Sequence, residues 1–171
     1  MSILKILTIP DKRLKYKSLS VDKFDDELKT NISNMYDTLY ASDNGIGLAA
    51  PQVNIQKRIV VIDIKDEDGK SHPLTLINPK IINSSKEKNI NQEGCLSIPG
   101  YYSEVERYTH IEYEWSDEQG KKKKSKASGL LSICIQHEID HLDGILFIDY
   151  LSSIKKKFAL EKVLKFKKKD N

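Results

Sequence analysis

The sequence is poor in the features that would place it outside the ordinary globular class. It has only two cysteines, Cys95 and Cys134, so no disulfide framework is available. Eight glycines and five prolines in 171 residues exclude a collagen-like or linker-like polymer. No apolar run approaches the roughly 18 residues that a spanning helix requires. The apolar stretch from Ile3 to Ile9 is interrupted by Lys5 and has no small-residue cleavage site, so it does not read as a secretory signal. The expectation is a cytoplasmic protein with no membrane association, in which two thiols are better suited to metal binding or packing than to pairing.

The chain is long enough for one domain with a real core, and residues 1–171 are read as a single unit. Apolar residues make up 39% and charged residues 31%, a balance that excludes intrinsic disorder. The net charge is +3, but its distribution is uneven. Residues 155–171 carry eight lysines against Glu161 and Asp170, a surplus of six that leaves residues 1–154 at −3. A solvated helix face explains such a tail most simply, and contact with nucleic acid is the sharper alternative.

Hydrophobic spacing supplies the coarse architecture. From Asp22 to Ser42, Phe24, Leu28, Ile32, Met35 and Leu39 recur every three or four residues, the stripe of an amphipathic helix. The run Arg58 to Ile64 has the β-branched density of a buried strand, and Asp68-Gly69 then signals a hairpin turn. Leu74 to Ile77, Lys80 to Asn83 and Tyr101 to Trp115 read as further strands. Gly120 and the lysines up to Lys126 read as a charged hairpin tip or loop. Leu130 to Leu142 returns to a helical pattern that Gly144 should end. A short strand is expected from Ile145 to Ile148, then a last helix capped by Ser152 or Ser153, with Ile154, Phe158, Val163 and Phe166 as its stripe. The order predicts an α+β fold: antiparallel β-sheets packed around a central helix, with a C-terminal helix.

That central helix carries His137-Glu138-Ile139-Asp140-His141. Residues four apart on a helix share a face, so both imidazoles can reach one metal ion. Glu138 lies about 100° round from His137, beside such an ion, where it could take a proton from water. Two histidines need a further protein ligand, and Glu161 is the only acidic residue between Asp149 and Asp170. Cys95, in Glu93-Gly94-Cys95-Leu96-Ser97, offers a thiolate instead. Three ligands would leave a fourth position open, the mark of a catalytic site. A closed site that adds Cys134 is the competing arrangement. It is disfavoured because Cys134 stands about 10 Å along the helix from His141 and its side chain leans away. Cys134 is better read as a small buried hydrophobe.

The third segment, Gly45-Ile46-Gly47-Leu48-Ala49-Ala50-Pro51-Gln52, satisfies the G-x-G-x-x-A dinucleotide pattern in letters only. A helix precedes it and Pro51 ends it, so a nicotinamide cofactor is rejected. Its glycines let an extended segment lie against a ligand, and Gln52 presents an amide able to donate to a developing oxyanion.

Taken together, Gly45 to Gln52, Glu93 to Ser97 and Gln136 to His141 resemble the three signature motifs of the bacterial-type peptide deformylases. Ile9 to Leu14 and Leu130 to Leu151 extend the resemblance over nearly the whole chain. It implies hydrolysis of the formyl group from the N-terminal formyl-methionine of nascent polypeptides, with release of formate. It also implies one divalent metal ion held by Cys95, His137 and His141, with Fe(II) the usual native metal and Zn, Ni or Co able to replace it. Glu138 would be the general acid/base, accepting a proton as metal-acidified water attacks the formyl carbon. Gln52 and the Leu96 backbone N–H would hold the formyl oxygen, Gly47 would offer backbone to the substrate, and Ile46, Ile133 and Cys134 would line the methionine pocket. The sequence departs from the family at one point: Gly100-Tyr101-Tyr102 stands where many members have an arginine that contacts substrate backbone. Arg107 is present and is expected to pair with Glu93. A family that acts on chains leaving the ribosome would give the lysine-rich tail a possible ribosomal partner. The rival readings are an endopeptidase with a different third ligand and a non-catalytic RNA-binding factor with a closed metal site.

Overall fold

The computed structural model describes residues 2–169, so Met1 and the last two residues of the basic tail lie outside the described residues. Three α-helices, α1 (Asp26–Ala41), α2 (Gly129–Leu142) and α3 (Ser153–Lys169), combine with seven strands. The strands are β1 (Gly47–Ala49), β2 (Ile59–Asp63), β3 (Pro73–Ser84), β4 (Lys88–Cys95), β5 (Ile98–Tyr108), β6 (His110–Ser116) and β7 (Lys122–Ser128). Five of them form an antiparallel sheet in the order β1-β2-β3-β6-β7, and β4 and β5 form a separate two-stranded ribbon.

Strand β2 shows why its sequence is apolar from Ile59 to Ile62. All five of its residues are buried because the sheet is covered on both faces. Ile59 and Val61 pack with Leu28, Ile32, Met35 and Leu39 of α1, while Val60 and Ile62 pack with Ile135, Ile139 and Leu142 of α2. Each such aliphatic contributes about 1.5–3 kcal/mol on burial. The first helix begins where Asp25 accepts from Leu28 N at 3.0 Å, an N-cap that leaves Phe24 outside the helix.

The ribbon β4–β5, the N-terminal segment and α3 enclose a third cluster built on Leu7, Leu14, Ile98, Phe147 and Val163. Helix α2 therefore has the sheet on one side and the ribbon on the other, which is the central position expected of it. Its polar residues have reasons. Gln136 is buried and spans both backbone groups of Tyr108, accepting from N at 3.0 Å and donating to O at 2.9 Å. That clamp ties α2 to the end of β5.

Four local expectations are corrected. Ile145 to Ile148 is not a strand: with no neighbouring strand to pair with, the chain turns through a 3-10 helix at Phe147–Tyr150 and buries Phe147 and Ile148 in the third cluster. The Tyr101 to Trp115 stretch is divided at Thr109 between the ribbon and the main sheet. The lysines of residues 122–126 are strand residues of β7, an edge strand, where charge protects an unpaired backbone; the turn itself is Asp117 to Gly120. In α3, Val163 of the expected stripe is buried, but Ile154, Phe158 and Phe166 are exposed, because the helix docks through Val163 and the small Ala159. Ser152, whose hydroxyl accepts from Lys155 N at 3.3 Å, is its cap.

Candidate metal centre and catalytic cleft

Strand β4 ends at Cys95, which pairs across a two-residue turn with Ile98 and so projects from the ribbon toward α2. From α2, His137 and His141 face it one helical turn apart, with ring centroids 5.0 Å from each other. One donor atom from each of Cys95, His137 and His141 lies within 4.8 Å of the other two. Cys95 Sγ stands 3.3 Å from His141 Nε2, close to the roughly 3.5 Å that separates S and N ligands around a tetrahedral ion. The sequence-expected ligand set is thus brought together. Cys134 is buried, packs with the core cluster on the sheet side of α2, and is not one of the residues whose donor atoms come together.

A chain of charges orients the first histidine. Nδ1 of His137 donates to Glu93 Oε1 at 2.9 Å, which leaves Nε2 for the centre. Glu93 is gripped by Arg107, whose Nε and Nη2 donate to its two oxygens at 2.8 and 2.9 Å. The same guanidinium donates to Asp140 Oδ2 at 2.6 Å, and the Tyr150 hydroxyl donates to that oxygen at 2.8 Å. Burial alone would raise Glu93, but hydrogen bonds from Arg107 and His137 outweigh it and hold the carboxyl down at about 2. Burial pulls His137 down, but hydrogen bonds to Cys95 and Glu93 outweigh it and raise the ring, so a cation binding at Nε2 would displace a proton. His141, equally enclosed and facing His137, is pushed well below its ordinary value, so its imidazole is neutral. The pairing of Glu93 with Arg107 was expected; Asp140 and Tyr150 as further members were not. A carboxylate inside so apolar a helix was the signal for Asp140, whereas nothing marked Tyr150.

Glu138 is buried beside the ligand trio, with Oε1 3.7 Å from His137 Nε2 and Oε2 without any partner. Burial, opposed in part by His137, pushes its carboxyl up to about 7. A carboxyl poised there exchanges protons readily near neutral pH. Gln52, also buried, is locked at both ends. Its Oε1 accepts from Ala49 N at 2.9 Å, and its Nε2 donates to Ser97 Oγ at 3.0 Å and lies 3.5 Å from Cys95 Sγ. The amide is thereby presented at the metal-ligand trio by β1 and the turn that follows it. Leu96 occupies the turn between Cys95 and Ile98.

Gln52, Cys95, Leu96, His137 and Glu138 line one cleft of about 510 Å³, together with Ile46, Gly47, Ile133 and Cys134. Gly47 is required by close approach: a Cβ there would stand 2.9 Å from Cys134 Sγ and 3.2 Å from Glu138 Cγ. Arg107 does not enter the cleft, being buried behind Glu93; Tyr102 is the residue that does.

The donor set fits a metal ion. It combines one thiol sulfur and two imidazole nitrogens at ligand spacing, with one histidine oriented by a hydrogen-bonded carboxylate. Among the described residues no fourth side chain joins the group, the arrangement of a centre with an open position. A site of this kind can polarise a carbonyl and supply acidified water.

Comparison with known proteins agrees with this geometry. The family model described as Polypeptide deformylase matches residues 3–157. Peptide deformylase 2 of Vibrio cholerae is 52% identical over 165 residues, covering 96% of each chain. A crystal structure of peptide deformylase from Ehrlichia chaffeensis superposes with a TM-score of 0.92 at 42% identity, covering 98% of each chain. One from the same organism in complex with actinonin gives 0.91 at 44% identity, covering 96% of this chain and 98% of that one. No helix among the described residues is long and apolar enough to cross a membrane. With the fold, the cysteine–histidine centre and the full-length similarity in agreement, the chain belongs to the polypeptide deformylase family of metalloenzymes.

Proposed function

We propose that this protein removes the formyl group from N-formylmethionyl peptides, releasing formate and a free amine, and that residues 1–171 act as one metallohydrolase domain. The observation that carries the reading is the buried, unpartnered Glu138 Oε2 beside the Cys95, His137 and His141 trio. Those three residues would hold one divalent cation. Their sulfur and imidazole donors suit Fe(II), Zn, Ni or Co rather than Mg or Ca, with Fe(II) the native choice that family membership favours. When bound, the cation supplies Lewis acidity toward the formyl oxygen and toward water.

The chain's own residues do the rest. Glu138 takes the proton of the attacking water and returns it to the leaving nitrogen, a cycle suited to a carboxyl near pH 7. Gln52 Nε2 and the Leu96 backbone N–H stabilise the formyl oxygen as negative charge develops on it. Ile46, Ile133 and Cys134 enclose the methionine side chain, and Gly47 presents backbone to the peptide. The substrate would come from new chains at the ribosome in the cytoplasm, and the lysines of α3 are the surface best placed to approach ribosomal phosphates.

The test is formate release from formyl-Met-Ala by metal-loaded protein prepared without oxygen, run beside an unformylated peptide with internal bonds. Formate from the first and no cleavage of the second supports the reading. Internal cleavage, or no formate, contradicts it.

A further inference from the structure

Residues 42–46 join α1 to β1, and Asp43, Asn44, Gly45 and Ile46 of this loop form one rim of the cleft. Asn44-Gly45 is the only asparagine in the chain followed by glycine; every other one before the C-terminus precedes a residue with a side chain. Asparagine is a thermally labile residue, and the residue after it governs that lability. A side chain there shields the next backbone nitrogen, whereas glycine leaves it open and free to swing toward the asparagine amide. Asn44 is exposed and lies outside any helix or strand, so no ladder holds its backbone.

Packing explains the glycine. A Cβ on Gly45 would collide with Ser42 Oγ and stand 3.0 Å from Leu39 Cδ1 and 3.1 Å from Leu96 Cδ1. The fold thus needs a bare residue beside Leu96, the neighbour of Cys95, and that need leaves Asn44 unshielded. One contact opposes reaction: Gly45 N donates to Ser42 Oγ at 3.2 Å, and that hydroxyl donates to Leu39 O at 2.6 Å. The bond to Gly45 N is at the long end of the range, a weak restraint.

We infer that Asn44 is a site of spontaneous covalent modification, in which its side-chain amide is converted to aspartate and isoaspartate against the restraint of the Ser42 hydroxyl. Gly45 N gives up its proton and bonds to Asn44 Cγ, the bond from Cγ to the side-chain nitrogen breaks, and ammonia leaves a cyclic imide. Water then opens the ring. Attack at Cγ gives aspartate, and attack at the main-chain carbonyl carbon gives isoaspartate, whose backbone runs through the side chain. One water is consumed and one ammonia released, with no change of oxidation state. Both products put a negative charge next to Asp43, where no lysine or arginine is among the described residues that line the cleft. Isoaspartate also adds a methylene to the backbone just before β1, where Ile46 O accepts from Asp63 N at 2.8 Å and Gly47 pairs with Ile62. The modification therefore strikes the wall of the cleft, and activity falls with it.

The experiment holds wild type, Asn44→Gln and Ser42→Ala, metal-loaded and without oxygen, at mildly alkaline pH and body temperature. Peptide mass spectrometry and an isoaspartate assay follow residue 44, with Asn83, exposed on β3 and followed by Ser84, as internal reference. Conversion at Asn44 should outrun that at Asn83 by at least about tenfold, and Ser42→Ala should convert about threefold faster than wild type, as loss of one weak hydrogen bond implies. Asn44→Gln should gain no acid at that position. Formate release from formyl-Met-Ala by wild type should fall in step with the converted fraction, while Asn44→Gln keeps its own starting rate. No conversion at Asn44, or conversion no faster than at Asn83, would overturn the site. An unchanged rate in Ser42→Ala would overturn the restraint, and full activity in converted protein would overturn the effect on the cleft. The mass readout needs no turnover, so absence of formate from fresh protein would contradict the deformylase reading while the modification still stands or falls on its own measurement.

Discussion

Arg107 holds Glu93 through two parallel hydrogen bonds of 2.8 and 2.9 Å, and both side chains are buried. This fork is the anchor of the metal centre, because the same Glu93 oxygen that accepts from Arg107 Nη2 accepts from His137 Nδ1. Removing one partner of a buried pair strands the other. Arg107→Met should therefore destabilise the fold by about 3–5 kcal/mol in chemical denaturation. It should also weaken metal retention, which dialysis against a chelator would measure.

Gly47 leaves no room for a side chain between Cys134 and Glu138. Gly47→Ala should reduce kcat/KM at least tenfold while costing about 1–3 kcal/mol of stability, the usual range for an overpacked site. Steady-state kinetics and thermal melts on one preparation separate the two effects.

Gln52 reaches the centre only because Ala49 N and Ser97 Oγ fix its amide. Its loss as an oxyanion donor should appear mainly in kcat. Gln52→Ala should lower kcat by about 10²–10³ with a smaller change in KM. An effect confined to KM would assign Gln52 to substrate binding instead.

Away from the cleft, Asp63 at the end of β2 is buried, accepting from the Tyr40 hydroxyl at 2.6 Å and from His72 N at 2.8 Å. Burial alone would raise its carboxyl, but these hydrogen bonds outweigh it and hold the group below its ordinary value. A carboxylate depressed in the folded state stabilises above the unfolded pKa, and that contribution is lost as pH falls through the folded value. The difference in melting temperature between wild type and Asp63→Asn should thus be full near neutrality and shrink below about pH 4.

Much of this was legible in the sequence where a pattern had one physical solution. Two histidines four apart on an apolar helix must share a face, and four consecutive β-branched apolar residues, Ile59 to Ile62 of β2, require cover on both sides. What was not legible depended on partners distant in sequence. The Ile145 to Ile148 segment has strand-like residues, but nothing lies beside it to accept a ladder, so packing of Phe147 decides its shape. The apolar spacing of α3 marks a helix correctly but not its buried face, because small residues, Ala159 among them, make the close contact. Tyr150 and Phe166 carry no local signal at all; only the tertiary fold brings one to Asp140 and the other to the cleft.

The central claim is that Cys95, His137 and His141 hold the cation while Glu138 moves the proton. Metal content and formate release from formyl-Met-Ala, measured on the same preparations of wild type, Cys95→Ala and Glu138→Ala, test it directly. The account predicts that Cys95→Ala loses both metal and activity, whereas Glu138→Ala keeps its metal and loses formate release. Full activity in Glu138→Ala, or undiminished metal binding in Cys95→Ala, would contradict it.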